Sequence, residues 1–347
     1  MKIKEIASFN PKGKKPNDYI NYVDTSSVED GKLIGLQTLS KDIPSRAQRV
    51  IEKNDILISS VRPILKHNFF VGQSLQHSVA STGFIQIRVN NSNVLPRFLY
   101  YYLTVETKVQ QYQTIAETSQ STFPSFNKDV IEEMDFPNIS LETQQHIVDI
   151  LGTLDEKIEN NNKIIVELEF ILSSKYHELV ARNTTEIPLS NCIELYTGKL
   201  DANAAEENGK YPFFTCGITP EKINTYAFDC EAIIIAGNGN FNVKYYNGKF
   251  NAYQRTYVIK ANKYFAIILQ HYKGKIKEWS SSARGSVIKF LTKSMLIDDT
   301  IKISNNYAKN EEYESFSKTI QEKIKNLLET NAKLNQLKQL YLKKFFG

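Results

Sequence analysis

Residues 141–182 read LETQQHIVDILGTLDEKIENNNKIIVELEFILSSKYHELVAR, and the interpretation of the whole chain starts from this stretch. It contains no proline and a single glycine, Gly152, and its apolar residues recur at helical spacing. The principal apolar positions fall on every seventh residue, at Leu151, Ile158, Ile165, Leu172 and Leu179. A sustained seven-residue period is typical of a long helix that packs along a partner helix. Asn161 and Lys175 are polar companion positions, which lower stability but help to fix the register of such a pair.

The end of the chain, residues 316–346, repeats this pattern after a shift of 169 positions. The shift places Leu337 over Leu168 and Asn331 over Asn162. Because a long apolar stripe has to be buried, we expect the two helices to pack against each other. The side chains predicted to form this contact are Leu151, Ile158, Ile165, Leu168, Leu172, Leu179, Ile320, Leu327, Leu334, Leu337 and Tyr341.

The composition is that of a folded protein, with 41% hydrophobic and 23% charged residues. We find no apolar run long enough to span a membrane and no secretory signal at the start, which predicts a cytoplasmic protein. Cys192, Cys216 and Cys230 lie far apart and are interpreted as packing residues, with no metal site expected. The net charge of +5 is compatible with a polyanionic partner.

Residues 1–138 predict one mixed α/β domain. Strands are expected at 56–58, 69–71, 84–89 and 134–136, and a helix at 97–113. Ser140 is the expected N-cap of the first long helix. Gly152 is expected to divide that helix, because residues 153–156 have the form of a capping box.

After a short linker at 183–188 the order of elements begins again. Residues 233–235 correspond to 56–58, residues 257–259 to 84–86, and a helix at 264–273 to the helix at 97–113. Further along, Ser286 corresponds to Thr122 and Phe290 to Phe126. The sequence therefore predicts an α+β fold with an internal repeat. Its segments are a first α/β domain (1–138), a helical region (139–183), a second α/β domain (184–309) and a second helical region (310–347).

This repeat predicts two α/β domains separated by two long antiparallel helices, related by a pseudo-two-fold axis. At about 1.5 Å per residue, a helix over residues 154–181 spans roughly 40 Å. That length suits two DNA half-sites about one turn, roughly 34 Å, apart. Removal of one heptad is then expected to change the gap between the half-sites. A coiled-coil scaffold that touches no nucleic acid remains open on the same pattern.

The sequence resembles the specificity subunit of type I restriction–modification systems over essentially its full length. The resemblance rests on SLETQQHIVDILGTLDEKIENNNKIIVELEFILSSKYHELV (140–180), which is similar to the central region of that family. Further support comes from NDILISSVRP (54–63) with VASTGFIQIRV (79–89), and from YPFFTCG (211–217) with EAIIIAGNGNF (231–241). Each motif is weak by itself, but the combination is specific.

This resemblance implies two target recognition domains, each of which reads one half of a bipartite DNA sequence. The helical regions would separate them and bind two methyltransferase subunits. The chain would then direct adenine-N6 methylation, and cleavage once restriction and motor subunits join. S-adenosylmethionine would be bound by the partner methyltransferases and not by this chain.

Residues 236–240, AGNGN, are the stretch most similar to a cofactor loop. They lack the third glycine of a dinucleotide fingerprint and the Gly-Lys-Ser/Thr of a P-loop, which favours a strand-to-loop turn. We find no signature of an amino-methyltransferase, and the histidines are scattered, so no catalytic residue is predicted. An adenine methyltransferase with its own cofactor site is the remaining enzymatic alternative.

Candidate DNA contacts are polar side chains in loops that follow the predicted strands. Arg pairs with guanine and Asn or Gln with adenine, whereas Ser, Thr and Lys more often position the backbone. In the first domain the candidates are Ser59, Ser60, Arg62, Lys66, Ser119, Gln120, Ser121 and Thr122. In the second they are Asn238, Asn240, Lys244, Gln254, Arg255, Ser282, Arg284, Ser286 and Lys289.

Overall fold

The computed structural model describes residues 1–29, 31–118, 124–282 and 290–347. The chain forms two compact units. The first contains residues 1–159 and 332–347, and the second contains residues 160–331. Each unit combines β-sheets with helices and includes one part of each of two long helices. Within the described ranges, no helix has the length and apolar character that crossing a membrane requires.

The first unit contains two four-stranded sheets and a small two-stranded one. Its strands are β1 (Ala7–Phe9), β2 (Ile20–Val23), β3 (Val28–Glu29), β4 (Lys32–Leu33), β5 (Gln37–Leu39), β6 (Ala47–Val50), β7 (Ile56–Ser59), β8 (Phe69–Phe70), β9 (Ser78–Ser81) and β10 (Phe84–Val89). The strand orders are β1-β10-β7-β8, β5-β2-β9-β6 and β3-β4. Residues 56–58 and 84–89 are strands, as the sequence predicts, and the structure pairs them as antiparallel neighbours.

The helices of the first unit cover one face of the β1-β10-β7-β8 sheet. They are α1 (Pro96–Thr104), α2 (Glu106–Glu117), α3 (Asp129–Glu132) and the start of α4 (Leu141–Leu179). Ile58 and Ile87 from the sheet, Phe98 from α1 and Leu151 from α4 are buried in one core. Leu342, near the end of the chain, belongs to the same core.

The second unit is organised around one six-stranded sheet of order β12-β17-β15-β16-β13-β14 and a two-stranded sheet of order β11-β18. Its strands are β11 (Thr184–Pro188), β12 (Ile193–Thr197), β13 (Tyr211–Phe214), β14 (Glu221–Ile223), β15 (Phe228–Ala236), β16 (Val243–Ala252), β17 (Thr256–Ala261) and β18 (Thr300–Ser304). Its helices are the end of α4, α5 (Phe265–Ser282), α6 (Lys293–Ile297) and most of α7 (Tyr307–Phe346). Ile233, Ile259 and Ile267 bury the sheet against α5.

Helices α4 and α7 run antiparallel within each unit. In the second unit, Asn161 Nδ2 donates to Asn331 Oδ1 at 2.7 Å and the Tyr313 hydroxyl donates to the carbonyl of Leu172 at 3.1 Å. Residue numbers therefore rise along one helix as they fall along the other. In the first unit, Lys338 Nζ pairs with Asp155 at 2.5 Å. These contacts confirm the predicted mixed α/β fold with a long antiparallel helix pair.

The packing residues predicted for this pair lie in three environments. Leu151, Ile158 and Leu172 are buried. Leu337 is 41% exposed. The half-buried residues are Ile165, Leu168, Leu179, Ile320, Leu327, Leu334 and Tyr341. In α7 the fully buried stripe falls instead on Ser317, Ile324 and Asn331, three residues before the predicted principal positions.

Helix α4 is continuous, so the predicted break at Gly152 is wrong. A mid-helix glycine costs roughly 1 kcal/mol relative to alanine. The burial of Leu151 in the core shows that tertiary packing outweighs this cost. Thr153 Oγ1 donates to the carbonyl of Asp149 at 2.7 Å inside the helix and caps nothing. The predicted cap is confirmed, because the Thr143 amide donates to Ser140 Oγ at 3.2 Å.

Three other local predictions are wrong. The helix expected over 97–113 is divided at Val105, whose extended backbone separates α1 from α2. Residues 134–136 form no strand and make only an isolated bridge between Lys2 and Asp135. The supposed linker at 183–188 contains strand β11, which is paired along its length with β18. In the last two cases the pairing partner is distant in sequence, so local patterns contain no information about it.

Candidate nucleic-acid interface

The first strand-end loop, Ser60, Val61 and Arg62, leaves the sheet at the end of β7. The Ser60 amide donates to the carbonyl of Gly83 at 2.9 Å. Val61 forms an isolated bridge with Ser125, and the Phe126 amide donates to the carbonyl of Ser60 at 3.1 Å. The loop is therefore held on one side by the start of β10 and on the other by residues 125–126.

The second strand-end loop, Gly237, Asn238 and Gly239, leaves the sheet at the end of β15. The Gly237 amide donates to the carbonyl of Arg255 at 2.9 Å. Asn238 forms an isolated bridge with Phe290. The amide of the next residue, Leu291, donates to the carbonyl of Gly237 at 2.8 Å.

The two loops share one set of three backbone contacts, which we call the hydrogen-bond frame. In this frame Ser60 corresponds to Gly237, Val61 to Asn238, Gly83 to Arg255, Ser125 to Phe290 and Phe126 to Leu291. The strand register agrees, because Ser59 pairs with Phe84 and Ala236 pairs with Thr256. The predicted correspondence of 233–235 with 56–58 therefore holds. The correspondences of Phe84 with Tyr257 and of Phe126 with Phe290 are each wrong by one residue.

The predicted residues of the first loop differ in accessibility. Ser59 is 1% exposed and its hydroxyl donates to the carbonyl of Val61 at 2.9 Å, so it holds the loop together. Ser60 is half-buried and donates to the carbonyl of Gly83 at 2.9 Å. The side chain of Arg62 is exposed, on a backbone with φ of 47°. Lys66 forms an ion pair with Glu106 at 2.6 Å.

Arg62 and Lys66 both lie in the left-handed backbone region, which non-glycine residues seldom adopt. Pro63 lies between them and begins the short 3-10 turn Pro63–Leu65. Such strained positions are concentrated at binding sites, where the surrounding structure holds them. The hydrogen bond from Lys66 holds the pKa of Glu106 below its ordinary value, and this favours the ion pair.

In the second loop region, three of the predicted residues are exposed: Asn240, Gln254 and Arg255. The main chain is fixed at two of them, since the Gln254 amide donates to the carbonyl of Leu200 at 2.9 Å and the carbonyl of Arg255 accepts from the Gly237 amide. Asn238 is half-buried and its Oδ1 accepts from Cys216 Sγ at 2.6 Å. The structure thus brings polar side chains from the start of β16 and from the loops that follow β15 and β16 to one end of the sheet.

Seven of the predicted residues lie outside the described residues. They are Ser119, Gln120, Ser121, Thr122, Arg284, Ser286 and Lys289. For Ser282, the last residue of α5, the backbone is described but the side chain is not.

Cys216 and Asn242 are two residues at this end of the sheet that the sequence prediction missed. Asn242 Nδ2 donates to the carbonyls of Cys216 at 3.0 Å and Asn240 at 2.9 Å, which connects the segment between β15 and β16 to the segment that follows β13. The alternation of Asn238, Asn240 and Asn242 in the sequence is a signal that could have identified the second residue. Cys216 has no such signal, and all three cysteines are free.

Lys244 completes this network at the base of the second loop. Its Nζ donates to the carbonyl of Gly217 at 2.7 Å and also to Asn242 Oδ1. Burial lowers the pKa of Lys244 from 10.5 to about 8. The ammonium group is therefore a charge that the protein can lose within a moderate pH range.

Two of the five backbone amides in residues 236–240 are not available to a bound phosphate. Cofactor loops bind phosphate with free backbone amides. Here the amides of Ala236 and Gly237 already donate to the carbonyls of Asn242 and Arg255, at 3.0 and 2.9 Å. Among the residues described, no cluster of three or more His, Cys, Asp or Glu side chains is arranged to hold a metal ion.

Comparison with known proteins relates part of this sequence to a known family. Residues 1–170 match the family model for the type I restriction modification DNA specificity domain. The chain is 41% identical over 167 residues to the type I restriction enzyme EcoDI specificity subunit of Escherichia coli, across 46% of this chain and 35% of that protein. It is 35% identical over 236 residues to the type I restriction enzyme HindI specificity subunit of Haemophilus influenzae, across 64% of this chain and 51% of that protein.

The chain thus spans about half, or less, of the length of these curated relatives. The fold agrees with a crystal structure of a type I restriction-modification system S subunit from M. genitalium. That comparison gives a TM-score of 0.60 at 15% identity and covers 100% of this chain and 95% of that one. Residues 1–170 belong to the family of type I restriction modification DNA specificity domains, and the chain is similar in sequence to type I restriction enzyme specificity subunits.

Proposed function

We propose that this chain is the sequence-specific DNA-binding subunit of a type I restriction–modification complex. It reads a bipartite DNA site and directs adenine-N6 methylation and restriction by partner subunits, without catalysing either reaction. Residues 1–138 and 184–309 are the two target recognition domains. Residues 139–183 and 310–347 are the helical regions that separate them.

The observation that carries this proposal is the repeated hydrogen-bond frame. Both strand-end loops are fixed by the same three backbone contacts, yet they present different side chains. A rigid main chain with variable polar side chains is what base readout requires, because donors and acceptors must meet base edges at fixed positions. Two such sites in one chain support two half-sequences.

The accessibility of the side chains assigns them different roles in this proposal. Arg62, Asn240, Gln254 and Arg255 are exposed and are the proposed base readers. Lys66 and Lys244 are engaged with protein acceptors and are proposed to position the DNA backbone. The hydroxyl of Ser59 is directed to the main chain and is proposed to shape the loop.

The partners implied by this function are double-stranded DNA, two methyltransferase subunits, and restriction and motor subunits. S-adenosylmethionine belongs on the methyltransferases, and the complex works in the cytoplasm. Val166 and Phe170 on α4 support a protein partner, because these side chains are 68% and 71% exposed and lie one turn apart. Phe170→Asp is expected to abolish co-purification with the methyltransferase, whereas Glu167→Ala on the same helix is expected to leave it unchanged.

The proposal is tested by mapping N6-methyladenine across the genome of the source cell with and without this gene. Loss of one motif, made of two short halves around a fixed gap, supports the proposed function and supplies the target sequence. If every modified motif persists without the gene while the purified chain still binds methyltransferase subunits and DNA, the chain does not direct methylation. If the chain binds neither partner, it is a scaffold of another kind.

A further inference from the structure

The turn between Arg62 and Lys66 carries two adjacent large apolar side chains on the surface of the first unit. Ile64 is 40% exposed and Leu65 is 49% exposed. Single exposed apolar residues are ordinary on protein surfaces. This pair, which we call the apolar tip, differs because a cationic residue stands on each side of it and the first strand-end loop directly precedes it.

The main chain of this turn is held by hydrogen bonds within the turn and to helix α2. The Lys66 amide donates to the carbonyl of Pro63 at 2.9 Å. The Ile64 amide donates to Gln113 Oε1 of α2 at 3.1 Å, and the Lys66 ammonium pairs with Glu106 of the same helix at 2.6 Å. Because the main chain is fixed in this way, the apolar tip stays exposed unless a partner covers it.

At the second strand-end loop, the equivalent apolar residue is buried. Asn238 corresponds to Val61 in the hydrogen-bond frame. At the same distance beyond them along the chain lie Phe241 and Ile64. Phe241 is only 8% exposed, and its ring lies 6.5 Å from that of Trp279 in the core of the second unit. The shared frame therefore permits burial at this position, and the exposure of Ile64 is a property of the first loop alone.

A DNA duplex offers few apolar groups that such a tip can contact. Its surface consists largely of phosphates and polar base edges, and the apolar group that the major groove presents is the C5-methyl of thymine. Arg62 and Lys66, on the two sides of the tip, carry the charges that suit guanine and phosphate. The tip and its neighbours together match a stretch of major groove that contains a thymine.

We propose that Ile64 and Leu65 read a thymine in the first half-sequence by packing against its C5-methyl group. The first half-sequence is the one that the first unit reads, so the inference rests on the proposed function and adds an apolar specificity contact to it. Burial of one methyl group against the tip changes the affinity about fourfold. The same contact disfavours cytosine, which lacks this methyl group.

Deoxyuridine tests the proposal because it differs from thymidine only in lacking the C5-methyl group. Duplexes that carry the recognised motif are prepared with each thymine replaced in turn by deoxyuridine. Their binding to the full-length chain, together with its methyltransferase subunits, is measured at constant ionic strength. We expect one replacement, in the half-sequence that Arg62→Gln alters, to weaken binding about fourfold.

A chain that carries both Ile64→Ala and Leu65→Ala shows whether the apolar tip makes this contact. With the tip removed, the same deoxyuridine replacement should no longer change the affinity. The matched control carries Ile34→Ala and Leu36→Ala at positions of the same unit that are 61% and 43% exposed. It should keep the full deoxyuridine effect. Thermal unfolding verifies that both chains are folded.

The opposite outcomes overturn the proposal in distinguishable ways. A deoxyuridine effect that persists in the tip variant assigns the methyl contact to another residue. If no thymine shows the effect while the motif is still bound specifically, the apolar contact is refuted and the proposed function stands. If, in addition, the tip variant no longer co-purifies with the methyltransferase, the tip contacts a protein partner instead. Absence of any specific duplex binding refutes the proposed function and this contact with it.

Discussion

The two strand-end loops have the same backbone contacts, but they differ in which partner of the shared hydrogen bond is a glycine. In the first unit a serine, Ser60, lies in the loop and a glycine, Gly83, accepts its hydrogen bond. In the second unit the glycine, Gly237, lies in the loop and an arginine, Arg255, accepts. The glycine is therefore the acceptor residue of this hydrogen bond in the first unit and the donor residue in the second.

Space around each glycine explains how this exchange is possible. A Cβ on Gly237 would lie 2.4 Å from the carbonyl oxygen of Arg255, so no side chain fits there. A Cβ on Gly83 would meet Thr25 Cγ2 at 3.1 Å, a side-chain atom that a small shift can move. The hydrogen-bond frame therefore accommodates different residues at the donor and acceptor positions, provided that the two backbones still approach each other closely. This allows the two loops to present different functional groups.

The largest effect is expected from Gly237→Val, because the new side chain must displace the backbone of Arg255. Overpacking of this kind typically lowers the free energy of unfolding by about 1–3 kcal/mol. It also moves the second loop, so recognition of the second half-site should be lost while the first is retained. Denaturant unfolding and binding to DNA duplexes altered in one half at a time measure both effects.

Ser60→Ala is the matched control in the first unit. It removes one hydroxyl hydrogen bond to Gly83 but leaves the amide contacts, so the expected cost is about 1 kcal/mol. If Gly237→Val were tolerated as well as Ser60→Ala, the frame would not constrain the second loop.

A smaller effect, confined to base preference, is expected from Arg255→Gln. The side chain is exposed while its main chain carries the frame, so the substitution changes the reader without moving the loop. Loss of a bidentate contact with guanine removes about 1–3 kcal/mol of discrimination at one base pair. Motif mapping by methylation reports it, and Arg62→Gln should alter the other half-sequence. Equal weakening of both halves by either variant would contradict the assignment of one reader to each loop.

The repeat and the hydrophobic periodicity were sufficient to predict the general fold. Every seventh residue from Leu151 to Leu179 is apolar, and this pattern together with its repeat at 316–346 predicts α4 and its antiparallel partner. The correspondence of β7 with β15 was also predictable from the sequence, because buried strands of aliphatic residues repeat in the same order. Strand β11 was not predictable, because the sequence Thr184–Pro188 resembles a linker. Its pairing with β18 depends on residues more than a hundred positions away.

The candidate site was less predictable than the fold for a physical reason. The sequence identifies loop residues with polar side chains but not which way they point. Ser59 was expected to be a contact, yet its hydroxyl is turned to the main chain. Cys216 and Asn242 were missed, since their roles arise from hydrogen bonds between loops that are distant in sequence.

Asn331→Leu tests whether the helix pair can be altered without altering either reader. The Asn331 side chain is 7% exposed, accepts from Asn161 at 2.7 Å and donates to Asn162 at 2.9 Å. Removing it leaves buried amides unpaired, and the free energy of unfolding should fall by about 1–3 kcal/mol. Neither half-sequence should change, because both frames remain intact.

Asn326→Leu is the control for this variant, since Asn326 is an exposed asparagine on the same helix. Chemical denaturation is expected to show a change within about 0.5 kcal/mol for this surface position. Similar losses in the two variants would mean that the buried amides contribute nothing specific to the pair.

The smallest effect is expected from pH, and it should distinguish the second loop from the first. Lys244 has a pKa of about 8 in the folded chain against an ordinary 10.5, so its positive charge is lost as pH rises from 7 to 9. Affinity for the second half-site should decline over that range. The slope of log affinity against log salt concentration should become shallower by about 0.9, as for the loss of one phosphate contact.

Whereas the affinity for DNA should fall with pH, the stability of the fold should rise with pH between about pH 8 and 10.5. There the unfolded chain binds more protons at Lys244 than the folded chain does, so the free energy of unfolding rises with pH. A decline in affinity therefore cannot be attributed to unfolding at this group. Lys244→Met should remove the pH dependence at the second half-site and leave the first unchanged. If the dependence persists in that variant, a different group titrates, and Lys244 only holds the loops at Gly217 and Asn242 together.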